Sequence, residues 1–182
     1  QFVTHNFDFE WRGYSYGVQP RVDHFAAAQA LDIAGVDIYH PSQKHLTGRE
    51  IAFGGAITRS LKQGKNYFVL ETQAQGFAQW TPFPGQLRLQ AFSHVASGAA
   101  MVSYWHWHSI HNSFETYWKG LLSHDFSRNA TWQEATTIGA DFARLSPQLA
   151  ELKAENDVAL LVSNEAMDAL NQFRPGDTQS NI

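Results

Sequence analysis

Four short apolar runs, each closing on a polar or aromatic residue, limit this chain's fold more than any other feature of its sequence. They cover 2–6, 33–39, 67–70 and 99–105, and end at Asn6, Tyr39, Glu71 and Trp105. Strands that are apolar along their whole length belong in parallel sheets covered on both faces. Helical stretches separate the runs: Ala-rich 22–30, then 47–63, then a segment through Leu87, Ala91 and Val95. Strand and helix in strict alternation predict an α/β fold with a parallel sheet. In a (β/α)8 barrel the C-terminal ends of the strands build the active site. A doubly wound sheet follows a similar rule, but the chain carries neither a dinucleotide glycine fingerprint nor a phosphate loop. A complete barrel takes roughly 250 residues, so four units predict half of one.

Local signals refine the boundaries. Thr47-Gly48-Arg49-Glu50 and Thr131-Trp132-Gln133-Glu134 both have capping-box spacing, which predicts a helix opening at each. The second helix carries Trp132, Ala135, Ile138, Phe142 and Leu145 on one face. Ser146-Pro147 predicts a fresh short helix. A buried strand is expected over 157–162, then a helix through Met167 and Leu170, with a loosely ordered tail over 174–182. The chain begins as though a strand were already under way and stops as abruptly, which reads as a piece of a longer protein.

The bulk properties exclude several roles. Net charge is −4 over 182 residues, so no basic surface points to nucleic acid or anionic lipid. No apolar stretch approaches the roughly 18 residues of a membrane span, and no signal peptide is visible. The absence of Cys removes disulfides and thiolate metal sites, and suits a reducing, cytoplasmic setting. Aromatic residues make up 14% of the chain, enough to provide stacking surfaces for the flat faces of sugars as well as core.

Glu71 is the sharpest candidate for chemistry, since a carboxylate ending the run Tyr67-Phe68-Val69-Leu70 sits at a barrel mouth where partial burial tunes it. A strand-end Glu that merely faces solvent or an Arg is the plain alternative. Trp80, flanked by Phe77 and Phe83, follows in the next loop, and Trp105 and Trp107 stand two apart at a strand end. Glu115 and Trp118 are three apart and share a face if their segment is helical. His106 and His108 have the H-x-H spacing of some barrel metal hydrolases, with His111, His124, His5 and His40 as further imidazoles. The spacing is weak evidence in a chain with nine histidines. No Gly-x-Ser-x-Gly elbow is present.

Longer strings carry a family resemblance. Val69-Leu70-Glu71-Thr72-Gln73, Trp80 and Arg88-Leu89-Gln90-Ala91-Phe92-Ser93-His94 resemble the seventh-strand region of glycoside hydrolase family 42 β-galactosidases. Tyr104-Trp105-His106-Trp107 and the run from Phe114 through Glu115 and Trp118 to Asp125 resemble the eighth. Val3-Thr4-His5-Asn6-Phe7 and the run from Leu31 to Tyr39 are similar to the fifth and sixth. The resemblance implies residues 1–153 as the C-terminal half, about strands 5–8, of a (β/α)8 TIM barrel. It implies 154–182 as the first strand and helix of an α/β trimerisation-type domain.

It further implies a retaining hydrolase of terminal β-D-galactosides with Glu71 as nucleophile and Tyr39 positioning it. Trp80 would wall the galactose site, Glu115 would take sugar hydroxyls beside Trp118, and Asn6 and Trp105 would line the mouth. The acid/base Glu of such enzymes lies on the fourth strand, upstream of Gln1, so this chain alone is expected to be inactive. The expected partners are a galactoside substrate and other copies of the protein, as a homo-oligomer that is trimeric when intact. No cofactor and no metal are expected. An arabinoside-cleaving barrel, a zinc hydrolase and a sugar-binding or assembly module are the other readings.

Overall fold

A computed structural model describes residues 1–9, 22–40, 43, 46–75, 80–150, 152–166 and 169. Its centre is one four-stranded sheet in the order β1-β2-β3-β4, with β1 at Asn6–Phe7, β2 at Gly35–Asp37, β3 at Tyr67–Gln73 and β4 at Ala99–Trp105. Every neighbouring pair is parallel. Helices α1 (His24–Ala28), α2 (Arg49–Leu61) and α3 (Gln86–Ala96) connect successive strands, and α4 (Ala130–Leu149) follows the last. The alternation expected from the apolar runs is therefore present. The first two strands are shorter than their runs.

The outer face of the sheet packs under the helices. Phe7, Val36, Ile38, Tyr67, Val69 and Ala99 form one cluster with Ala28 of α1 and Ile51 and Leu61 of α2. Fully burying an aliphatic side chain of this size contributes about 1.5–3 kcal/mol. A methyl group on Gly54 would stand 3.0 Å from Ile38, and one on Gly55 would stand 2.5 Å from the Tyr67 hydroxyl, so α2 needs both glycines to lie this close to the sheet. Leu87, Ala91 and Ile138 form a second cluster, with Tyr104, Leu121 and Phe142 against it, and join α3 and α4 to β4.

Register is interrupted where the site begins. Val36 pairs with Val69 but Asp37 pairs with Glu71, so β3 carries one extra residue opposite β2. Such a bulge reverses the in–out parity of the residues beyond it. Tyr67 and Val69 face the helices, and Glu71, which strict alternation would put with them, turns to the opposite face.

Several local expectations fail for tertiary reasons. Neither capping box forms. α2 has Gly48 at its N-cap in a left-handed conformation with no side-chain cap, and Glu50 is buried 3.5 Å from Nδ1 of His40. α4 is capped by Asn129, whose side chain accepts from the Trp132 N–H at 3.0 Å. Glu134 instead reaches across to α3, accepting from the backbone N–H groups of Gly85 (3.2 Å) and Arg88 (2.9 Å). Pro147 does not open a new helix, because α4 runs through it to Leu149. The strand expected over 157–162 does not form: residues 158–163 carry no regular structure, and Val158, Leu160 and Leu161 are 85, 73 and 93% exposed. Among the described residues no strand pairs with them. A helical turn begins at 164–166; Met167, Leu170, the tail 174–182 and Phe77 lie outside the described residues. No helix among the described residues is long and apolar enough to cross a membrane.

Candidate active site

The inner face of the strand ends gathers Asn6, Asp37, Tyr39 and Glu71. Asn6 is in register with Gly35, two residues before Asp37, and Tyr39 follows two residues after it, so all three share one side of the sheet. The bulge in β3 brings Glu71 to the same side. Oε2 of Glu71 accepts from the Tyr39 hydroxyl at 3.0 Å, and Oε1 accepts from Nδ2 of Asn6 at 3.2 Å. The same Nδ2 donates to Oδ1 of Asp37 at 3.0 Å and lies 3.3 Å from Oδ2.

Acidic groups gather here, with Asp8, Asp37, Glu71 and Glu115 acting on one another. Burial pushes the Glu71 carboxyl above its ordinary range, and Glu115 and Asp8 add to the rise, while the Tyr39 and Asn6 hydrogen bonds oppose it. Asp37 is pushed up to about 8, first by burial and then by Glu71, with Asp8 contributing and the Asn6 hydrogen bond opposing. Two adjacent carboxyls with raised proton affinity are typical of acid–base and nucleophilic sites. The two groups act on each other electrostatically and titrate as a coupled pair. The two donors on Glu71 favour it as the ionised member.

The aromatic candidates distribute unevenly. The Trp118 ring lies 6.1 Å from the ring of Tyr39, which is buried. Glu115 acts electrostatically on both Glu71 and His106. Lys119 Nζ donates to the Trp80 carbonyl at 3.4 Å, tying the Trp80 loop to the Trp118 loop. Trp105 ends β4 in register with Gln73 and packs edge-on to His106 at 4.9 Å. Trp107 does not share its direction, because β4 has ended and its ring packs on Trp132 of α4 at 5.7 Å.

The H-x-H pair joins an aromatic stack. His106 and His108 meet edge-on at 5.5 Å, and His108 stacks on His111 at 5.3 Å and tilts against Phe126 at 4.9 Å. A ring nitrogen of His108 contacts the Ser109 carbonyl at 2.7 Å, and one of His111 contacts the carbonyl of His124. Among the described residues no three His, Cys, Asp or Glu side chains group as metal ligands.

Two features escaped the sequence reading. Asp37 ends β2 as visibly as Tyr39 does, yet only the bulge pairing shows that it meets Glu71. Several glutamines are also buried and paired: Gln43 and Gln86 exchange hydrogen bonds at 2.5 and 3.3 Å, and Gln75 donates to the Gly120 carbonyl at 2.7 Å. The recurrence of Gln at 73, 75, 86 and 90 was the available signal.

Comparison with known proteins finds relatives along most of this chain. A β-galactosidase of Thermus thermophilus is 30% identical over 187 residues, covering 91% of this chain and 27% of that protein. One from an Arthrobacter species is 25% identical over 150 residues, covering 80% and 21%. The chain thus spans about a quarter of the length of these relatives. Among solved structures, a cold-adapted β-galactosidase from Rahnella sp. R3 superposes with a TM-score of 0.79 at 23% identity, covering 94% of this chain and 25% of that one. A β-galactosidase from the psychrophilic Marinomonas ef1 gives 0.76 at 21% identity, covering 97% and 30%. These superpositions establish a shared fold. The profile of glycoside hydrolase family 42, described as β-galactosidase, matches residues 1–145, and the chain belongs to that family.

Proposed function

We propose that this chain carries the nucleophile-bearing half of a retaining β-galactosidase, with Glu71 as the nucleophile. The observation that carries the reading is the placement of Glu71: partly buried at a strand end, among other carboxyls, with one donor on each oxygen. In the retaining mechanism a protonated carboxylic acid gives its proton to the glycosidic oxygen as the leaving group departs. Oxygen of Glu71 bonds to the anomeric carbon, forming a galactosyl ester. Water, deprotonated by the first carboxylate, then breaks that ester and restores Glu71. Tyr39 and Asn6 hold the carboxylate in line. Trp118 beside Tyr39 and Trp80 across the linked loops would wall the sugar, with Glu115 accepting from its hydroxyls and Trp105 lining the mouth.

The mechanism places its two carboxyls about 5 to 5.5 Å apart. We assign the acid/base to a strand outside residues 1–182, and expect the 182-residue chain alone to turn over no galactoside. Residues 1–153 fit the second half of a barrel, as their four parallel strand–helix units suggest. Residues 154–182 fit the start of a following α/β domain through which the intact protein trimerises. The uncovered apolar side chains at 158, 160 and 161 favour a partner there.

The test is to incubate the full-length enzyme with a 2-deoxy-2-fluoro-β-galactoside and map the label by peptide mass spectrometry. Label on Glu71 supports substrate class, retaining mechanism and nucleophile together. Folded protein with no label leaves the chain its fold without this chemistry.

A further inference from the structure

The Asn6 amide joins two carboxyls. Both of its N–H bonds leave from Nδ2, and Nδ2 stands within hydrogen-bond range of Asp37 and of Glu71 at once. A primary amide has only two such hydrogens, so this donor is fully committed. An Asn side chain has broad χ2 freedom, and Asn6 lies on a two-residue strand with its side chain open to solvent. Contact with Glu71 alone leaves that rotation weakly fixed. Asp37 is held more firmly: it ends β2 beside a parallel neighbour, between Val36 and Ile38, both buried under the helices.

We propose that Asp37 is a positioning residue, which fixes the Asn6 amide so that its second N–H is aimed at Oε1 of Glu71. This rests on Glu71 being the nucleophile, and it adds a residue that does not touch substrate. Asp37 needs only an acceptor oxygen for this, which a carboxylic acid retains after protonation. The groups facing it are Glu71 on β3, Asp8 just beyond β1 and Asn6 itself. A carboxyl surrounded by acids and holding its proton near neutral pH accepts from Asn6 without adding a full negative charge beside Glu71. As Glu71 becomes an ester its charge disappears, and the amide must then follow a neutral oxygen. An amide anchored on Asp37 stays in place through that change.

The test measures labelling of Glu71 by the 2-fluorogalactoside, with kcat and KM, in the intact enzyme carrying Asp37→Ala, Asp37→Asn, Asn6→Ala or the Asn6→Ala/Asp37→Ala pair. Loss of a hydrogen bond to a charged group corresponds to about a tenfold to hundredfold change. Asp37→Ala is expected to slow labelling and kcat at least about tenfold while KM moves less than about threefold. Asp37→Asn, whose carbonyl can still accept from Asn6, should recover most of that loss. Asn6→Ala should match Asp37→Ala, and the double variant should be no slower than Asn6→Ala. Labelling of Asp37→Ala within about twofold of the parent, or losses that multiply in the double variant, overturns the proposal. If Asp37→Ala does not fold, Asn6→Ala decides: a loss below about twofold overturns it equally. A parent enzyme labelled elsewhere than Glu71 overturns the nucleophile assignment and this role with it. Label on Glu71 at unchanged rates in the variants overturns this role alone.

Discussion

Carboxyl groups at the strand ends and carboxyl groups on the outer helices of this molecule are treated in opposite ways. On α4, Asp141 is gripped by Arg144 at 3.0 Å and Arg88 at 2.8 Å, and those bonds hold it below the ordinary carboxylate range. Glu134, about two turns earlier on the same helix, spends both oxygens on backbone N–H groups of α3. At the mouth of the sheet, Glu71 and Asp37 receive hydrogen bonds from a phenol and an amide, both uncharged, and their proton affinity rises. Outside, Asp141 is neutralised by two arginines and Glu134 ties α4 to the backbone of α3. Inside, the acids keep their reactivity because the groups that orient them do not neutralise them.

The largest effect should come from removing the reactive member. Glu71→Gln in the intact enzyme is expected to lower kcat by at least about a thousandfold, since a lost nucleophile costs far more than a lost contact. Steady-state hydrolysis of an aryl galactoside measures it, and a loss under tenfold would remove Glu71 from the chemistry. Next is Tyr39→Phe, which deletes the 3.0 Å bond to Oε2. A charge-assisted hydrogen bond of roughly 1.5–3 kcal/mol predicts a drop of about tenfold to hundredfold in kcat/KM. The same deletion removes an interaction favouring the ionised carboxylate, so the acidic limb of the pH–rate profile should move to higher pH.

A third prediction lies between the two regions. His94 of α3 is fully buried, neither ring nitrogen has a hydrogen-bond partner among the described residues, and burial, helped by His40, pulls it down to about 3. An unfolded His titrates near 6.5. Between those values the unfolded chain binds a proton that the native one does not, so stability falls as pH drops through that window. Native and unfolded forms are both neutral above it. His94→Leu should flatten this slope, leaving the variant about 2 kcal/mol better than the parent at pH 5 relative to pH 7.5. Thermal midpoints at the two pH values decide, and parallel slopes would falsify the assignment.

The smallest effect belongs to the outer acids. Glu134→Ala removes the cap on α3, worth about 1 kcal/mol. Hydrogen exchange at the Gly85 and Arg88 amides should accelerate about fivefold while the strand amides are unchanged.

The same contrast explains what could be read from the sequence. The strand-ending pattern exposed Asn6, Tyr39 and Glu71 because the C-terminal ends of parallel strands gather at one mouth, although Glu71 reaches the inner face only through the bulge. Glu50 and Glu134 look like local caps in the sequence, since Thr-x-x-Glu spacing describes a helix start in isolation, and here both carboxyls find partners on other elements. Ser146-Pro147 predicts a new helix because Ser suits a cap and Pro a first turn. Pro147 falls within the last turn of α4, beyond Ser146, whose hydroxyl donates to the Phe142 carbonyl at 2.6 Å. Val158, Leu160 and Leu161 have strand composition, but a strand is a property of pairs, and no strand among the described residues pairs with them.

The irregular pairing of β3 with β2 also sets a rule for anyone rebuilding this fold. An idealised barrel with even registers would keep Glu71 in phase with Tyr67 and Val69, and so turn it under the helices. Grafting Asn6, Asp37, Tyr39 and Glu71 onto such a scaffold would reproduce the residues and lose the constellation. The extra residue opposite Val36 and Asp37 must travel with them, so in a design library the length of this strand is a stricter variable than its composition.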